Sequence, residues 1–312
     1  MLDFPDVHPW PDPVSEVTVY EVGPRDGLQA EAAAVSVEVK LQFIERLADA
    51  GLEAIEATSF VSPRWVPQLA DADQLFPRLD RRPGIRYPVL VPNLRGLERA
   101  LAAGAEEVAV FVSATERFAR ENLGTSMEGA LDAAALVVAQ SRARGLRVRG
   151  YVSMCFGDPW EGQVAPAQVA GVAARLVHQG CSSVSLGDTI GVGTAGHVRR
   201  LLVAVTDAGV RLDQVALHFH DTYGQALANV LAGIEGGVRE FDSSAGGLGG
   251  CPYAKSATGN LATEDLVWLL HGLGLATGID LQALVSTSEW MASELGRPSP
   301  ARVVTALGGR SG

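Results

Sequence analysis

The pair His218 and His220 is the strongest chemical signal in the sequence. The two residues lie two positions apart in a short run that predicts a strand, so both side chains project from the same face. Two imidazoles on one buried face each keep a donor and an acceptor that need partners. A shared metal ion would bind one nitrogen of each ring, and we favour this interpretation over a buried hydrogen-bonded pair.

Asp26 and Asn260 are the candidate oxygen ligands of such a metal. They follow the first and the last predicted strands, and strands one, seven and eight are neighbours in a closed barrel. Taken singly, Asp26 is typical of a turn before Gly27, and Asn260 is typical of a helix N-cap. Mixed nitrogen and oxygen ligation without thiolate suits Mg²⁺ or Mn²⁺, and it does not exclude Zn²⁺, Co²⁺ or Fe²⁺.

Two more residues could take part in a reaction at this metal. In most sequences Arg25 would form an ordinary surface ion pair with the adjacent Asp26. At a barrel mouth, its fixed charge could instead stabilise an enolate oxygen as a carbon-carbon bond breaks. Cys251 lies in a glycine-dense stretch, Ala245 to Tyr253, that predicts a mobile loop. A thiol carried by such a loop can act as general acid or base, although an inert cysteine is the commoner case.

The elements that would position these residues alternate from Val17 to His271. We predict eight strands: Val17 to Val22, Ala54 to Thr58, Tyr87 to Val91, Glu107 to Val112, Val148 to Val152, Ser183 to Leu186, Val215 to His220 and Glu240 to Ser243. Helical patterns follow them near Val37 to Ala50, Trp65 to Phe76, Leu94 to Ala103, Ser126 to Arg144, Pro166 to Gln179, Thr194 to Ala208, Gly224 to Gly237 and Thr263 to Leu273.

Eight strand and helix units predict an α/β fold, a TIM (β/α)8 barrel, and we favour it over an open doubly wound sheet. The first strand is not followed by a G-x-G-x-x-G turn, and the glycines from Gly246 to Gly250 come after the last strand. Active sites of such barrels lie at the carboxyl ends of the strands. The polar residues collect there, and we expect no comparable titratable cluster at the opposite rim.

Composition agrees with a small-molecule enzyme. The chain has 312 residues, of which 47% are hydrophobic, and a formal net charge of -11. No basic run suggests nucleic acid or a membrane surface as partner. The segment from Met1 to Pro13 lacks a basic and an apolar region, and the three cysteines form no CxxC pair, so we expect a cytoplasmic protein. We predict one domain, 1–312, with 280–312 as an accessory helical tail.

Four motifs in order closely resemble the 3-hydroxy-3-methylglutaryl-CoA lyase family. They are Glu21 to Gln29 (EVGPRDGLQ), Ser185 to Gly193 (SLGDTIGVG), His218 to Gln225 (HFHDTYGQ) and Gly246 to Asn260 (GGLGGCPYAKSATGN). The similarity extends from about Val17 to Leu273 and includes Ile55 to Gln68. This resemblance implies a TIM barrel related to isopropylmalate and homocitrate synthases.

The resemblance also implies a metal-dependent retro-Claisen cleavage of 3-hydroxy-3-methylglutaryl-CoA to acetoacetate and acetyl-CoA, as used in leucine degradation and ketone body formation. Its metal ligands would be Asp26, His218, His220 and Asn260. The catalytic residues it implies are Arg25, Cys251, Asp188, Glu56 and Glu264, and Arg25, Gln29 and Thr189 are the candidate substrate-binding residues. A homodimer is expected from the same resemblance.

Three alternatives stay open. A lyase for a different 3-hydroxyacyl-CoA is the more serious one, because Ala32 and Ser256 depart from the family pattern. A Claisen-condensing acyltransferase is less favoured, since such synthases carry extra C-terminal domains. A non-catalytic metal-binding barrel is the third.

Overall fold

The computed structural model describes residue 5 and residues 7–9, 16–32, 34–250 and 259–308. Within these residues the chain forms one parallel sheet. Its strands are β1 (Thr18–Glu21), β2 (Ala54–Ile55), β3 (Thr58–Ser59), β4 (Val89–Leu90), β5 (Glu107–Ser113), β6 (Arg147–Ser153), β7 (Ser183–Asp188), β8 (Val215–Phe219) and β9 (Glu240–Ser243). All eight predicted strands are present, and the second is divided into β2 and β3.

The sheet closes on itself at the division between β2 and β3. The strand order is β2-β1-β9-β8-β7-β6-β5-β4-β3, so the two end strands are consecutive in the chain and only Glu56 and Ala57 separate them. Glu56 N donates to Glu21 O on one side at 2.8 Å, and Ala57 N donates to Pro88 O on the other side at 3.0 Å. The predicted TIM barrel is confirmed.

Helices surround the barrel. They are α1 (Val37–Asp49), α2 (Ala72–Leu75), α3 (Leu94–Ala102), α4 (Glu116–Phe118), α5 (Met127–Arg142), α6 (Pro166–Gln179), α7 (Ala195–Asp207), α8 (Ala226–Glu235), α9 (Thr263–Gly272), α10 (Leu281–Glu294) and α11 (Arg302–Leu307). Side chains of Ser36, Asn93 and Ser126 accept the N-terminal hydrogen bonds of α1, α3 and α5.

The predicted helix from Trp65 to Phe76 is wrong in its extent. That region contains the 3₁₀ turn Pro67–Leu69, the short helix α2 and a second 3₁₀ turn, Phe76–Arg78. Proline lacks a backbone donor and clashes with the preceding turn, so Pro67 and Pro77 break the segment into single turns.

Charged side chains fill the lower end of the barrel interior, where the strands begin. Arg149 is only 1% exposed and forms ion pairs with Glu240 and Asp242. Arg86 lies 3.0 Å from Glu107 and 3.6 Å from Glu240. The expectation that this rim carries no titratable cluster is therefore wrong, because β5 and β9 begin with glutamates that Arg86 and Arg149 can reach.

Extra C-terminal helices are confirmed. Helix α10 packs against α1, and α11 packs against α9. Helix α10 also contacts the 3₁₀ turn Ala245–Gly247, which follows β9 at the upper end of the barrel. In the part of the chain that the structure describes, no helix is long and apolar enough to cross a bilayer.

Candidate metal centre

Asp26, His218 and His220 form the cluster that could hold a metal ion. One candidate ligand atom from each residue lies within 4.8 Å of the others, and the two imidazole centroids are 5.3 Å apart. His218 is on β8, and His220 follows its end. The backbone N–H groups of Arg25, Asp26 and Gly27 all donate to Val22 O, so a tight turn after β1 places Asp26 at the same mouth.

Asn260 joins this cluster through Asp26. Its Nδ2 donates to Asp26 Oδ2 at 2.9 Å and to Leu248 O at 3.0 Å. It does not cap α9, whose N-cap is Ala262. The Oδ1 atom of Asn260 is buried and has no hydrogen-bond partner among the described residues. A buried carbonyl oxygen without a partner is costly, and a divalent cation beside Asp26 would satisfy it.

Burial tends to raise the pKa of Asp26, but the nearby charges outweigh it. Arg25, and then His218 and His220, favour the ionised carboxylate and lower its pKa to about 2. At neutral pH this residue is therefore an anionic oxygen donor. Two imidazoles, a carboxylate and an amide oxygen make a donor set that fits a divalent cation.

The guanidinium of Arg25 is fixed between two carboxylates. Nε donates to Glu56 Oε1 at 2.6 Å, and Nη1 donates to Asp26 Oδ1 at 2.5 Å. Tyr151 donates its hydroxyl to the other oxygen of Glu56, and its ring lies 5.2 Å below the guanidinium carbon. Arg25 is 7% exposed and lines the cavity, so it presents a fixed positive charge beside the metal cluster.

Asp188 and Thr189 shape the turn after β7. Asp188 accepts the backbone N–H groups of Val192 at 2.9 Å and Gly193 at 2.8 Å. Burial raises its pKa to about 6 against these hydrogen bonds. Thr189 lines the cavity, and its Oγ1 accepts from Met154 N at 2.9 Å. Asp188 is not among the cavity-lining residues and supports the turn from behind.

Glu264 lies behind the glycine-dense segment. It accepts the N–H of Gly246 at 3.0 Å and the hydroxyl of Ser288 on α10. It is fully buried and does not line the cavity. Glu21 acts in a similar way, because it accepts Gly23 N at 2.7 Å and Ala245 N at 2.9 Å. Both carboxyls thus anchor backbone near the start of this segment.

The buried carboxyl of Glu264 makes stability depend on pH. Burial raises its pKa from 4.5 to about 8, so the folded protein holds this proton where the unfolded chain has lost it. The stabilisation is present below pH 4.5 and is lost as pH rises through about 8. We expect the melting temperature of Glu264→Gln, whose amide is always neutral, to fall less than that of the unmodified protein between pH 5 and 8. Equal slopes in a thermal melting series would contradict this.

Gly249 leaves room for Asn260. Its φ is +117°, and a Cβ there would lie 2.5 Å from Asn260 Nδ2. We expect Gly249→Ala to lower the free energy of unfolding by about 1–3 kcal/mol and to weaken Mn²⁺ binding. Gly250→Ala is the matched control, since no described atom lies within 4 Å of the added carbon. Isothermal titration with Mn²⁺ and thermal melting of both variants test this, and equal behaviour of the two would refute the steric argument.

A cavity of ≈ 740 Å³ opens directly beside the metal cluster. Its polar lining includes Arg25, Gln29 and Thr189, which places all three predicted substrate-binding residues at its wall. Its apolar wall includes Leu90, Phe111 and Ala134. Such a volume suits a small organic ligand or part of a larger one.

Sequence reasoning missed Asp242 and Arg149. Asp242 lies opposite His218 in the register of β8 and β9, and its Oδ2 is 3.3 Å from His218 Nδ1. Burial opposes ionisation of Asp242, but Arg149 keeps its pKa below the ordinary value. Strand pairing is the signal that could have found this contact, since it needs only the order of neighbouring strands.

Two of the three cysteines lie in the described part of the chain, and both are buried. Cys155 is buried and its Sγ donates to Val152 O at 3.0 Å, and Cys181 is buried too. Both are core residues. Cys251 lies outside the described residues. Gly250, the residue directly before it in the sequence, lines the cavity.

Comparison with known proteins agrees with this arrangement. The family model described as HMGL-like matches residues 16–291. The mitochondrial hydroxymethylglutaryl-CoA lyase of Mus musculus is 51% identical over 291 residues, which cover 93% of this chain and 89% of that protein. The 3-hydroxy-3-isohexenylglutaryl-CoA/hydroxy-methylglutaryl-CoA lyase of Pseudomonas aeruginosa is 49% identical over 292 residues, or 94% and 97% of the two chains. A crystal structure of hydroxymethylglutaryl-CoA lyase from Pseudomonas aeruginosa matches with a TM-score of 0.92 and 47% identity, covering 98% of this chain and 99% of that one.

Proposed function

The chain belongs to the HMGL-like family, and on that premise we propose that it is a carbon-carbon lyase that cleaves 3-hydroxy-3-methylglutaryl-CoA to acetoacetate and acetyl-CoA. The observation that carries this proposal is the meeting of Asp26, His218 and His220 beside Arg25 at one end of the cavity. Relatives at about half identity that carry this activity in their names support it.

Asp26, His218, His220 and Asn260 would hold a divalent cation, with Mg²⁺ or Mn²⁺ favoured by the oxygen ligands. A cation bound there would supply a Lewis acid that lowers the pKa of the substrate 3-hydroxyl group. The residues themselves orient the substrate: the cavity beside them is lined by Gln29 and Thr189, which can hydrogen-bond its polar groups.

Arg25 stabilises the charge that develops during cleavage. Transfer of the hydroxyl proton to water and rupture of the bond between C2 and C3 turn C3 into the ketone carbon of acetoacetate. They leave the enolate of acetyl-CoA, whose oxygen carries the negative charge. A guanidinium held by Glu56 and Asp26 needs no rearrangement to meet this charge. Glu56 thus acts through Arg25, while Asp188 and Glu264 support the turns that carry the site.

Cys251 is the proposed proton donor to the enolate carbon. The proposal rests on its position in the sequence, directly after Gly250, which lines the cavity. A general acid in this role contributes about 10²–10⁴-fold to the rate. Protonation at C2 releases acetyl-CoA and completes the reaction.

We expect Cys251→Ala to lose about 10²-fold in kcat or more while binding Mn²⁺ as the unmodified protein does. Only the final protonation is impaired, because the proposed metal ligands are unchanged. Cys181→Ala, a buried residue far down the barrel, is the matched control. Full turnover by Cys251→Ala would assign the proton to another group.

The direct test is a turnover assay with purified protein, Mg²⁺ or Mn²⁺, and a panel of 3-hydroxyacyl-CoA thioesters. We expect acetoacetate from 3-hydroxy-3-methylglutaryl-CoA and no turnover after treatment with a chelator. The panel should contain a thioester with a larger 3-substituent, since a relative is named for such a substrate. Far faster cleavage of that compound would transfer the assignment to a lyase of different acyl specificity.

The remaining expectations are proposals that the same premise leaves open. The name of the mouse relative places that protein in mitochondria. Family membership therefore does not establish the cellular compartment of this chain, and a cytoplasmic location stays a proposal. A homodimer, a role in leucine degradation or ketone body formation, and a single domain with an accessory tail are proposed on the same footing. Acetyl-CoA formation in the assay would exclude a non-catalytic barrel, and lack of condensation with 2-oxo acids would exclude a synthase.

A further inference from the structure

We propose that Asp242 is a positioning residue that fixes the ring of His218 through Nδ1 and so presents Nε2 to the cation. This inference rests on the proposed metal site and assigns a role to a residue beneath it. Asp242 does not line the cavity, and it is not one of the three clustered ligand residues.

The contact comes directly from the sheet. His218 on β8 and Asp242 on β9 are partners in the parallel register, and their side chains meet inside the barrel. Asp242 Oδ2 lies 3.3 Å from His218 Nδ1. Nδ1 is buried and has no other hydrogen-bond partner among the described residues, so this carboxylate is the acceptor within its reach.

Asp242 is itself held from two sides. Its Oδ1 accepts from an Nη of Arg149, and its Oδ2 accepts from the hydroxyl of Ser185 at 2.7 Å. Arg149 is fixed in turn by Glu240 and by the ring of Tyr20, whose centroid lies 4.0 Å from its guanidinium carbon. The carboxylate therefore cannot turn away from His218 without breaking charged hydrogen bonds in the buried interior.

A neutral imidazole carries one proton, and the partner of one ring nitrogen decides which nitrogen has it. A carboxylate at Nδ1 favours the proton there and leaves the lone pair on Nε2 for the cation. Such partners also restrict ring rotation, and their loss typically lowers metal affinity by about 10–100-fold. Of the other carboxylates near this ring, Asp26 belongs to the metal cluster and Asp188 already accepts two backbone N–H groups.

The first test compares Mn²⁺ affinity by isothermal titration in the full-length protein. We expect Asp242→Asn to raise the Kd by about 10–100-fold. Glu240→Gln is the matched control, because it removes the other acidic partner of Arg149 but does not touch His218. Equal affinity in Asp242→Asn and the unmodified protein, or an equal loss in Glu240→Gln, overturns the proposal.

The second test needs neither a metal nor a folded Asp242 variant. In ¹⁵N-labelled, metal-free protein, the neutral His218 ring should carry its proton on Nδ1, with the resonance assigned by its loss in His218→Gln. A proton on Nε2 overturns the role of Asp242. This outcome is distinct from a failure of Mn²⁺ to bind the unmodified protein, which would refute the proposed function instead.

Discussion

Replacing His220 with alanine is expected to abolish Mn²⁺ binding and turnover together. The residue is 5% exposed, its ring lies beside that of His218, and its backbone pairs with Asn260 across the mouth. Removal of one of two nitrogen donors would leave one imidazole, one carboxylate and one amide oxygen to hold the cation. We expect a loss of at least about 10³-fold in kcat/KM, equivalent to about 4 kcal/mol of transition-state stabilisation.

The matched control for this loss is His178→Ala. His178 is exposed at the end of α6, outside the barrel, so its removal deletes an imidazole without touching the cluster. Metal content, steady-state turnover and thermal melting should be measured on both variants. Retention of Mn²⁺ affinity by a folded His220→Ala protein would remove this residue from the ligand set.

Replacing Arg25 with glutamine is expected to lower kcat by about 10²–10³-fold while the protein still binds Mn²⁺. The positive charge would be lost from the place where the enolate oxygen forms, whereas the cluster of Asp26, His218 and His220 stays intact. Arg25→Lys is the companion variant. Lysine keeps the charge but lacks the rigid fork whose separate nitrogens meet Glu56 and Asp26, so we expect it to recover only part of the rate.

Stability must be measured beside these rates, because Arg25 also neutralises a buried carboxylate. Glu56 is fully buried, and removal of the partner of a buried charge costs about 3–5 kcal/mol. Tyr151→Phe, which removes a hydrogen bond to Glu56 but leaves Arg25 in place, controls for this effect. A kcat of Arg25→Gln equal to that of Tyr151→Phe would show that the charge itself is not required.

The barrel could be predicted from sequence because β-branched runs and helical periods alternate without a break. The interruption of the second strand at Glu56 and Ala57 could not. Both neighbours of this strand accept its backbone donors there, yet the residues read as part of one continuous run. The prediction of one helix from Trp65 to Phe76 was wrong for another reason. The apolar spacing of this segment is helical, but its prolines end each turn.

At the site, strand periodicity was enough to place His218 and His220 on one face, and the order of strands was enough to bring Asp26 near them. The positions of Asp242 and Arg149 at the site could not be predicted, because the sequence does not distinguish a charged residue inside a barrel from one on its surface. Glu264 was matched to the site, but its contacts are with Gly246 and Ser288 behind it. Such distances depend on side-chain packing that periodicity does not contain.

The divided strand has a mechanical consequence. Strands β5 and β6 pair over seven residues, whereas β1 with β2 and β3 with β4 share only two pairs each. Fewer cross-strand hydrogen bonds make this side of the barrel wall easier to deform than the side formed by β5 and β6. Because Glu56 at the seam holds the guanidinium of Arg25, a displacement of the wall there would also move the charge that faces the cavity.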